Sequence, residues 1–177
     1  MAPQRMPHVL VFLPGITGSV LKKDGKVVWG FSAGALGSAL LSKGGSMKKA
    51  LMLEADPPDV DDLGDGVVAS ALVPDLHLIP GFWKIDGYTR VIDTIQKRFD
   101  VTIGKNLFPF PYDWRRDNRV AARRLARQGR EWLARWRESS GNKDARLVLI
   151  AHSMGGLVSR YYLEVLEGWK DTLALIT

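Results

Sequence analysis

The sequence predicts an α/β fold in which a mostly parallel sheet carries helices on both faces. Short apolar runs bounded by Pro or Gly alternate with longer stretches whose apolar residues recur every three or four positions. The first pattern is typical of buried strands and the second of amphipathic helices. Because strands joined by crossover helices pair in parallel, the alternation favours a parallel sheet.

Composition limits the possible classes of protein. The 177 residues, 46% of them hydrophobic, suit a single domain spanning residues 1–177. The absence of cysteine excludes a disulfide framework, a thiolate zinc site and a cysteine nucleophile. The apolar run nearest the N-terminus, Val9 to Leu13, is too short for a signal peptide or a membrane span. We therefore expect a soluble, cytoplasmic protein.

The first half of the chain contains one clear strand and one clear helix. Val9 to Leu13 is the strand, and the Gly-containing loop Pro14 to Ser19 follows it. Residues 30–80 are rich in Gly, Ser, Asp and Pro and show the least readable pattern, and we treat them as a candidate lid or cap insertion. Apolar residues at three- and four-residue intervals predict a helix from Tyr88 to Phe99, and a strand follows from Leu107 to Phe110.

The second half shows stronger patterns. One apolar arc predicts a helix from Arg119 to Glu138, and Arg146 to Ala151 reads as a buried strand. After a Gly-Gly turn we expect a helix from about Gly156 to Leu166. Leu173 to Thr177 then opens one more strand, so the sheet is expected to be incomplete at the C-terminus.

The net charge of +6 raises the question of a nucleic-acid partner. Seven arginines of the predicted helix fall on the arc opposite its apolar stripe: Arg119, Arg123, Arg124, Arg127, Arg130, Arg135 and Arg137. No aromatic residues interleave with them as a base-stacking surface requires. We interpret the arginines as a solvated helix face and predict no nucleic-acid binding.

A serine lies at the predicted turn between the strand ending at Ala151 and the next helix. Ser153 has a small residue two positions before it, Ala151, and another two positions after it, Gly155. This arrangement is typical of a nucleophile elbow, where a strained serine rises above the sheet edge and larger flanking side chains would collide with backbone. Ser153 is therefore our candidate nucleophile; the alternative is an ordinary serine in a strand-turn-helix connection.

Two backbone N–H groups are candidates for an oxyanion hole. Met154 directly follows the serine, and the N-terminal end of the next predicted helix, which points at the same spot, favours negative charge. A second donor in this geometry comes from a loop after an earlier strand, and the Pro14–Ser19 loop supplies one. We select the N–H of Ile16.

Three segments of the sequence together resemble the lecithin:cholesterol acyltransferase-like family of α/β-hydrolases. They are HVLVFLPGITGSVL, FPYDWRRDNR and LVLIAHSMGGLVSRYYLE, and the Tyr112–Arg115 stretch is the most family-specific. The resemblance implies an α/β-hydrolase fold and transfer of an acyl group from an acyl-enzyme to water or an alcohol. It also implies an acyl-ester or phospholipid-like substrate, with no cofactor and no metal.

The rest of the expected triad is not evident. In this fold the acid and the histidine follow the nucleophile, yet residues 154–177 contain no histidine. His8 is interpreted as a strand-edge residue and His77 as a loop residue, and His152 adjoins the serine at a turn where neighbouring side chains diverge. Asp171 is interpreted as a strand-entry residue. We expect the acid and base to lie on further sequence, the alternative being a non-catalytic remnant that binds a lipid or a protein.

Other motifs have simpler structural explanations. The Gly15–Ser19 stretch lacks the Gly-Lys-Ser/Thr ending of a phosphate loop. The aspartates between Asp56 and Asp65 lack the spacing of a calcium loop, so a solvated loop is expected there. We interpret Tyr112–Arg115 as an ion-paired structural tie, the alternative being a catalytic role. Phe31 to Leu53 could form a lid or touch a membrane surface peripherally through Lys43, Lys48 and Lys49. An unpaired sheet edge further predicts self-association.

Overall fold

The structure is a computed structural model that describes residues 2–30, 49, 51–79, 83–85 and 87–177. The strands are β1 (Gln4–Arg5), β2 (Val9–Leu13), β3 (Ser19–Lys23), β4 (Lys26–Trp29), β5 (Val67–Leu72), β6 (Leu76–Ile79), β7 (Trp83–Ile85), β8 (Phe99–Asp100), β9 (Leu107–Pro109), β10 (Leu147–Ala151) and β11 (Thr172–Ile176). The helices are α1 (Thr89–Arg98), α2 (Asn118–Ser140) and α3 (Met154–Glu164), with a 3-10 turn at Gly168–Lys170. The predicted strands and helices are present, although α3 begins at Met154 rather than near Gly156.

The central sheet is parallel throughout, with strand order β11-β10-β2-β9. The chain runs from β2 outward to β9, returns across β2 to β10, and ends at β11. This reversal of direction lies between β2 and β10. Such a switch point is where the carboxyl ends of parallel strands open a crevice for ligands.

Helices cover both faces of this sheet, as predicted. Alternate residues of β2 point to opposite faces, so Val9, Val11 and Leu13 join one apolar cluster. Helices α2 and α3 pack on that cluster through residues such as Leu125 and Val158. Leu10 and Phe12 join the other cluster, on which α1 packs through Ile92 and Ile95. The arrangement is that of an α/β-hydrolase fold.

A second, antiparallel sheet of order β4-β3-β5 was not predicted from the sequence. Its hairpin turns at Asp24-Gly25, both in the left-handed region with φ of 48° and 79°. Consecutive positive φ values twist a two-residue turn to match its flanking strands. Strand β5 lies within the 30–80 range assigned to an insertion, so part of that range belongs to regular structure beside the site.

The structure differs from the expectation for His77, and the candidate lid lies mostly outside the described residues. His77 lies in β6, opposite Lys84 of β7, so the interpretation of His77 as a loop residue was wrong. The candidate lid from Phe31 to Leu53 falls mostly on residues 31–48 and 50, outside the described residues. Across the described ranges, no helix combines the length and apolar character that crossing a bilayer would require.

Candidate active site

Ser153 lies between the end of β10 and the start of α3, at the carboxyl edge of the central sheet. Its backbone has φ of 50° and ψ of −118°, a conformation that L-residues rarely adopt. The side chain is exposed. A strained, exposed serine at the N-terminus of a helix has the geometry of a nucleophile elbow.

Gly155, two positions after Ser153, lies directly against backbone. A Cβ added to Gly155 would approach the carbonyl oxygens of Leu13 and Pro14 to 2.7 Å each. Ala151, on the other side of Ser153, is buried. The size restriction at Gly155 therefore comes from close packing of α3 against the end of β2.

The loop after β2 reaches the serine directly. A Cβ placed on Gly15 would lie 3.2 Å from the Cβ of Ser153 and 2.9 Å from Nδ1 of His152. Ile16 follows Gly15, and its side chain is 57% exposed. The structure thus brings Ile16, Ser153 and Met154 to one edge of the sheet.

The N–H groups of Ile16 and Met154 are uncommitted within the described part of the chain. Neighbouring groups make local bonds: Gly18 N donates to the Gly15 carbonyl at 3.0 Å, and Gly155 N donates to the His152 carbonyl at 2.9 Å. No hydrogen bond among the described residues uses the Ile16 or Met154 N–H. Within the described residues, both N–H groups therefore lack an intramolecular acceptor.

The Tyr112–Arg115 stretch makes three hydrogen bonds to the Pro14–Ser19 loop. The hydroxyl of buried Tyr112 donates to the Pro14 carbonyl at 2.8 Å, and its backbone N donates to Oγ of Ser19 at 3.0 Å. Trp114 Nε1 donates to the Ser19 carbonyl at 3.2 Å. Burial, and next the proximity of Tyr88, raises the pKa of Tyr112, so its phenol stays protonated.

Arg115 and Asp113 in the same stretch form the predicted ion pair, with Nη2 of Arg115 at 2.6 Å from Oδ2 of Asp113. Arg115 also pairs with Asp65 at 2.9 Å, at the entrance to β5. The Arg115 side chain is almost fully buried. The structural interpretation of this motif is confirmed, and the motif ties the site to the antiparallel sheet.

A sequence model of the lecithin:cholesterol acyltransferase family matches residues 82–174, more than half of the chain. The chain belongs to the lecithin:cholesterol acyltransferase family. The match includes the Tyr112–Arg115 stretch and the elbow at Ser153, whereas the Pro14–Ser19 loop precedes it. No curated protein matches this chain in a sequence search.

A solved structure shares the fold of this family member. The match is to a chain in "The crystal structure of Tle4-Tli4 complex", with a TM-score of 0.52 and 18% sequence identity. It covers 99% of this chain and 45% of that chain. The present chain thus spans less than half of its neighbour's length, and the similarity concerns the fold.

His8 and His152 make hydrogen bonds to different parts of the chain. His8 precedes β2, and its Nδ1 accepts a hydrogen bond from the Arg146 N–H at 3.2 Å, as expected for a strand-edge residue. Nδ1 of His152 lies 2.9 Å from the Tyr88 hydroxyl. Within the described residues, no hydrogen bond links an imidazole to Ser153. Asp171 lies at the entrance to β11, as predicted, and approaches Arg137 at 3.5 Å.

Tyr88 is a site residue that sequence reasoning missed. Its apolar spacing predicts only a place in the stripe of a helix, but its hydroxyl reaches both Gly15 and His152. Burial raises the pKa of Tyr88, with the Gly15 N–H opposing the shift. Local sequence carries no signal for these contacts, because they join residues 64 and 73 positions apart.

The arginines of α2 form more than a solvated face, so that interpretation needs correction. Arg123 and Arg127 pair with the two carboxylate oxygens of Asp61 at 2.9 and 2.8 Å. Arg124 lies 4.4 Å from the Phe110 ring centroid, and burial lowers its pKa. Asp61 belongs to the acidic segment that was expected to be solvated, and the Arg123 side chain lowers its pKa. Ion pairs therefore join this segment to α2, although Asp61 and Arg127 both remain exposed to solvent.

Proposed function

We propose that this chain carries the nucleophile of a serine-dependent acyl-ester hydrolase or O-acyltransferase that acts on lipid-like esters. The observation that carries the proposal is the strained Ser153 beside the uncommitted N–H groups of Ile16 and Met154. Membership of the lecithin:cholesterol acyltransferase family supports a lipid-directed hydrolase or acyltransferase class. The reaction proceeds through an acyl-enzyme on Ser153.

In the first half-reaction, Oγ of Ser153 forms a bond to the ester carbonyl carbon as a general base takes its proton. The carbonyl electron pair moves onto oxygen, where the Ile16 and Met154 N–H groups stabilise it together with the N-terminal end of α3. Collapse of this intermediate breaks the bond to the alcohol, which leaves with a proton. Water or another alcohol then repeats the sequence on the acyl-enzyme, and Ser153 regains its proton. Among the described residues, no side chain is assigned as the general acid or the general base of this reaction.

Exposed apolar side chains beside the serine support an acyl substrate. Ile16 is 57% exposed, and Leu157, one helical turn after Ser153 on α3, is 59% exposed. Such side chains give an acyl chain an apolar surface on either side of the reacting carbonyl. The proposed substrate is accordingly an ester with an apolar acyl group, as in a phospholipid.

A fluorophosphonate probe tests the proposal, because it reacts covalently with activated serines. We would label the chain, the product of the complete open reading frame, a Ser153→Ala variant and a Ser139→Ala control. We expect labelling that Ser153→Ala abolishes and Ser139→Ala leaves unchanged; Ser139 lies at the exposed end of α2. Labelling that survives Ser153→Ala would overturn the assignment of the nucleophile.

A non-catalytic lipid- or protein-binding module is the second candidate. The observation favouring it is that no imidazole among the described side chains is hydrogen-bonded to Ser153. It predicts no labelling of either the chain or the complete product, together with binding of phosphatidylcholine vesicles. Ester turnover by the complete product would exclude it.

A further inference from the structure

The hydroxyl of Tyr88 joins the two segments that would supply the oxyanion donors. It accepts a hydrogen bond from the Gly15 N–H at 2.9 Å and lies 2.9 Å from Nδ1 of His152. Gly15 directly precedes Ile16, and His152 directly precedes Ser153. One side chain from the start of α1 therefore contacts both sides of the crevice between β2 and β10.

The direction of the bond to Gly15 follows from its donor, and the direction of the bond to His152 follows from the imidazole tautomer. A backbone N–H can only donate, so the Tyr88 oxygen is the acceptor from Gly15. The phenol proton is then free to donate to Nδ1 of His152 when the imidazole carries its own proton on Nε2, and this is the tautomer on which the inference rests. In this arrangement the Tyr88 hydroxyl donates its proton to His152 and accepts a hydrogen bond from Gly15. Each of the two hydrogen bonds polarises the hydroxyl and so strengthens the other.

Tyr88 is itself held rigidly against the loop. Its backbone N donates to the Val73 carbonyl at 2.9 Å, and Val73 N donates to the Gly18 carbonyl at 2.9 Å. Its ring packs edge-on against Phe12, with centroids 5.2 Å apart. A Cβ on Gly18 would meet Cε2 of Tyr88 at 2.8 Å. The ring thus lies against the loop at Gly18 while the hydroxyl holds Gly15.

We propose that Tyr88 is a positioning residue that sets the spacing between the Ile16 and Met154 N–H groups. It holds the Gly15 side and the His152 side of the crevice through one hydroxyl. The inference rests on the proposed function, because spacing matters only if both donors serve one oxyanion. Preorganised donors stabilise a transition state because they need not be reoriented during the reaction.

A Tyr88→Phe variant tests this directly, since it keeps the ring and removes the hydroxyl. In the complete gene product we expect kcat for p-nitrophenyl butyrate to fall about tenfold with KM changed less than about twofold. Loss of a whole oxyanion donor costs roughly 10²–10³ in kcat, so a misplaced donor should cost less. Tyr161→Phe, the same chemical change in α3, is the matched control and should leave both constants unchanged.

Amide hydrogen exchange at Gly15 gives a readout independent of turnover. We expect Tyr88→Phe to accelerate exchange at Gly15 and Tyr161→Phe to leave it unchanged. Unchanged Gly15 exchange in Tyr88→Phe would overturn the positioning role even if the protein had no activity. If the unmodified protein has no esterase activity but Tyr88→Phe still accelerates exchange at Gly15, the proposed function is refuted. The hydrogen bond from Gly15 to Tyr88 would then remain as a structural contact without a catalytic role.

A second pair of variants serves if Tyr88→Phe does not fold. His152→Asn places an amide oxygen near the position of Nδ1, where it can accept from Tyr88, whereas His152→Leu offers no acceptor. We expect kcat of His152→Leu to fall about tenfold, in line with a misplaced donor, and His152→Asn to recover most of it. Equal losses in both variants would overturn the proposal.

Discussion

The hydroxyl of Tyr112 donates a 2.8 Å hydrogen bond to the carbonyl oxygen of Pro14, across 98 positions of sequence. The bond is buried, and it connects the family-specific Tyr-Asp-Trp-Arg stretch to the start of the candidate oxyanion loop. Tyr112 and Tyr88 therefore hold this loop from different sides. A motif outside the elbow contributes to the site by fixing the backbone that faces the serine.

We expect Tyr112→Phe to lower the free energy of unfolding by about 1–2 kcal/mol, because it leaves the buried Pro14 carbonyl without its donor. Urea denaturation would measure the change, with Tyr161→Phe as the control. Equal stability of the two variants would contradict a stabilising role for this bond.

Gly155 and Gly156 offer a matched test of packing at the elbow. A Cβ on Gly155 would meet two carbonyl oxygens at 2.7 Å, whereas one on Gly156 meets only a methyl group of Thr177 at 3.4 Å. Gly155→Ala should therefore destabilise the protein by about 1–3 kcal/mol through overpacking. Gly156→Ala should be neutral or stabilising by up to about 1 kcal/mol, since alanine favours helix. Thermal unfolding of both variants would measure the difference. A Gly155→Ala variant more stable than Gly156→Ala would contradict the packing described.

Asp117 gives the stability of α2 a dependence on pH. It caps the helix by accepting from the Arg119 N–H at 2.8 Å, and it pairs with the Arg119 side chain at 2.8 Å. The side-chain bond, then the backbone bond, lowers the pKa of Asp117 to about 2. Because folding lowers this pKa, the stabilisation is complete above the unfolded value of about 4 and is lost as pH falls through 2.

Asp117→Asn keeps an acceptor for the cap and removes the charge. We expect the parent protein to be more stable than Asp117→Asn at pH 7, with the difference shrinking between about pH 4 and pH 2. Denaturant unfolding at several pH values would measure it. A difference independent of pH would show that the ion pair contributes nothing.

Arg116 anchors the acidic segment that lies against α2. Its side chain, 5% exposed, pairs with Asp56 at 2.7 Å and donates to the carbonyl of Val60 at 2.6 Å. A lysine cannot reproduce these divergent bonds. We expect Arg116→Lys to speed proteolytic cleavage within residues 56–65 at least severalfold, because the segment loses its anchor. Arg119→Lys, a change at an exposed arginine, is the control and should not alter cleavage there.

Local sequence patterns predicted the central α/β layers because strand and helix periodicity, and the turn at Ser153, depend on near neighbours in the chain. The antiparallel hairpin was missed although Asp24-Gly25 is a strong turn signal. Its flanking strands are short, and β4 is partly exposed, so they show no clear alternation of apolar and polar residues. Strand β5 alternates in exposure, but it lies in a range dominated by Gly, Asp and Pro.

The sequence by itself determined the elbow, the loop that faces it, and the membership of residues 82–174 in a family. Only the tertiary structure decided which side chains hold these parts together. The Tyr88 hydroxyl meets Gly15 and His152, and Asp61 meets the arginines of α2, across more than 60 positions of sequence. The physical reason is that turn conformation is set within a few residues, whereas a hydrogen-bond partner is set by where packing brings distant segments.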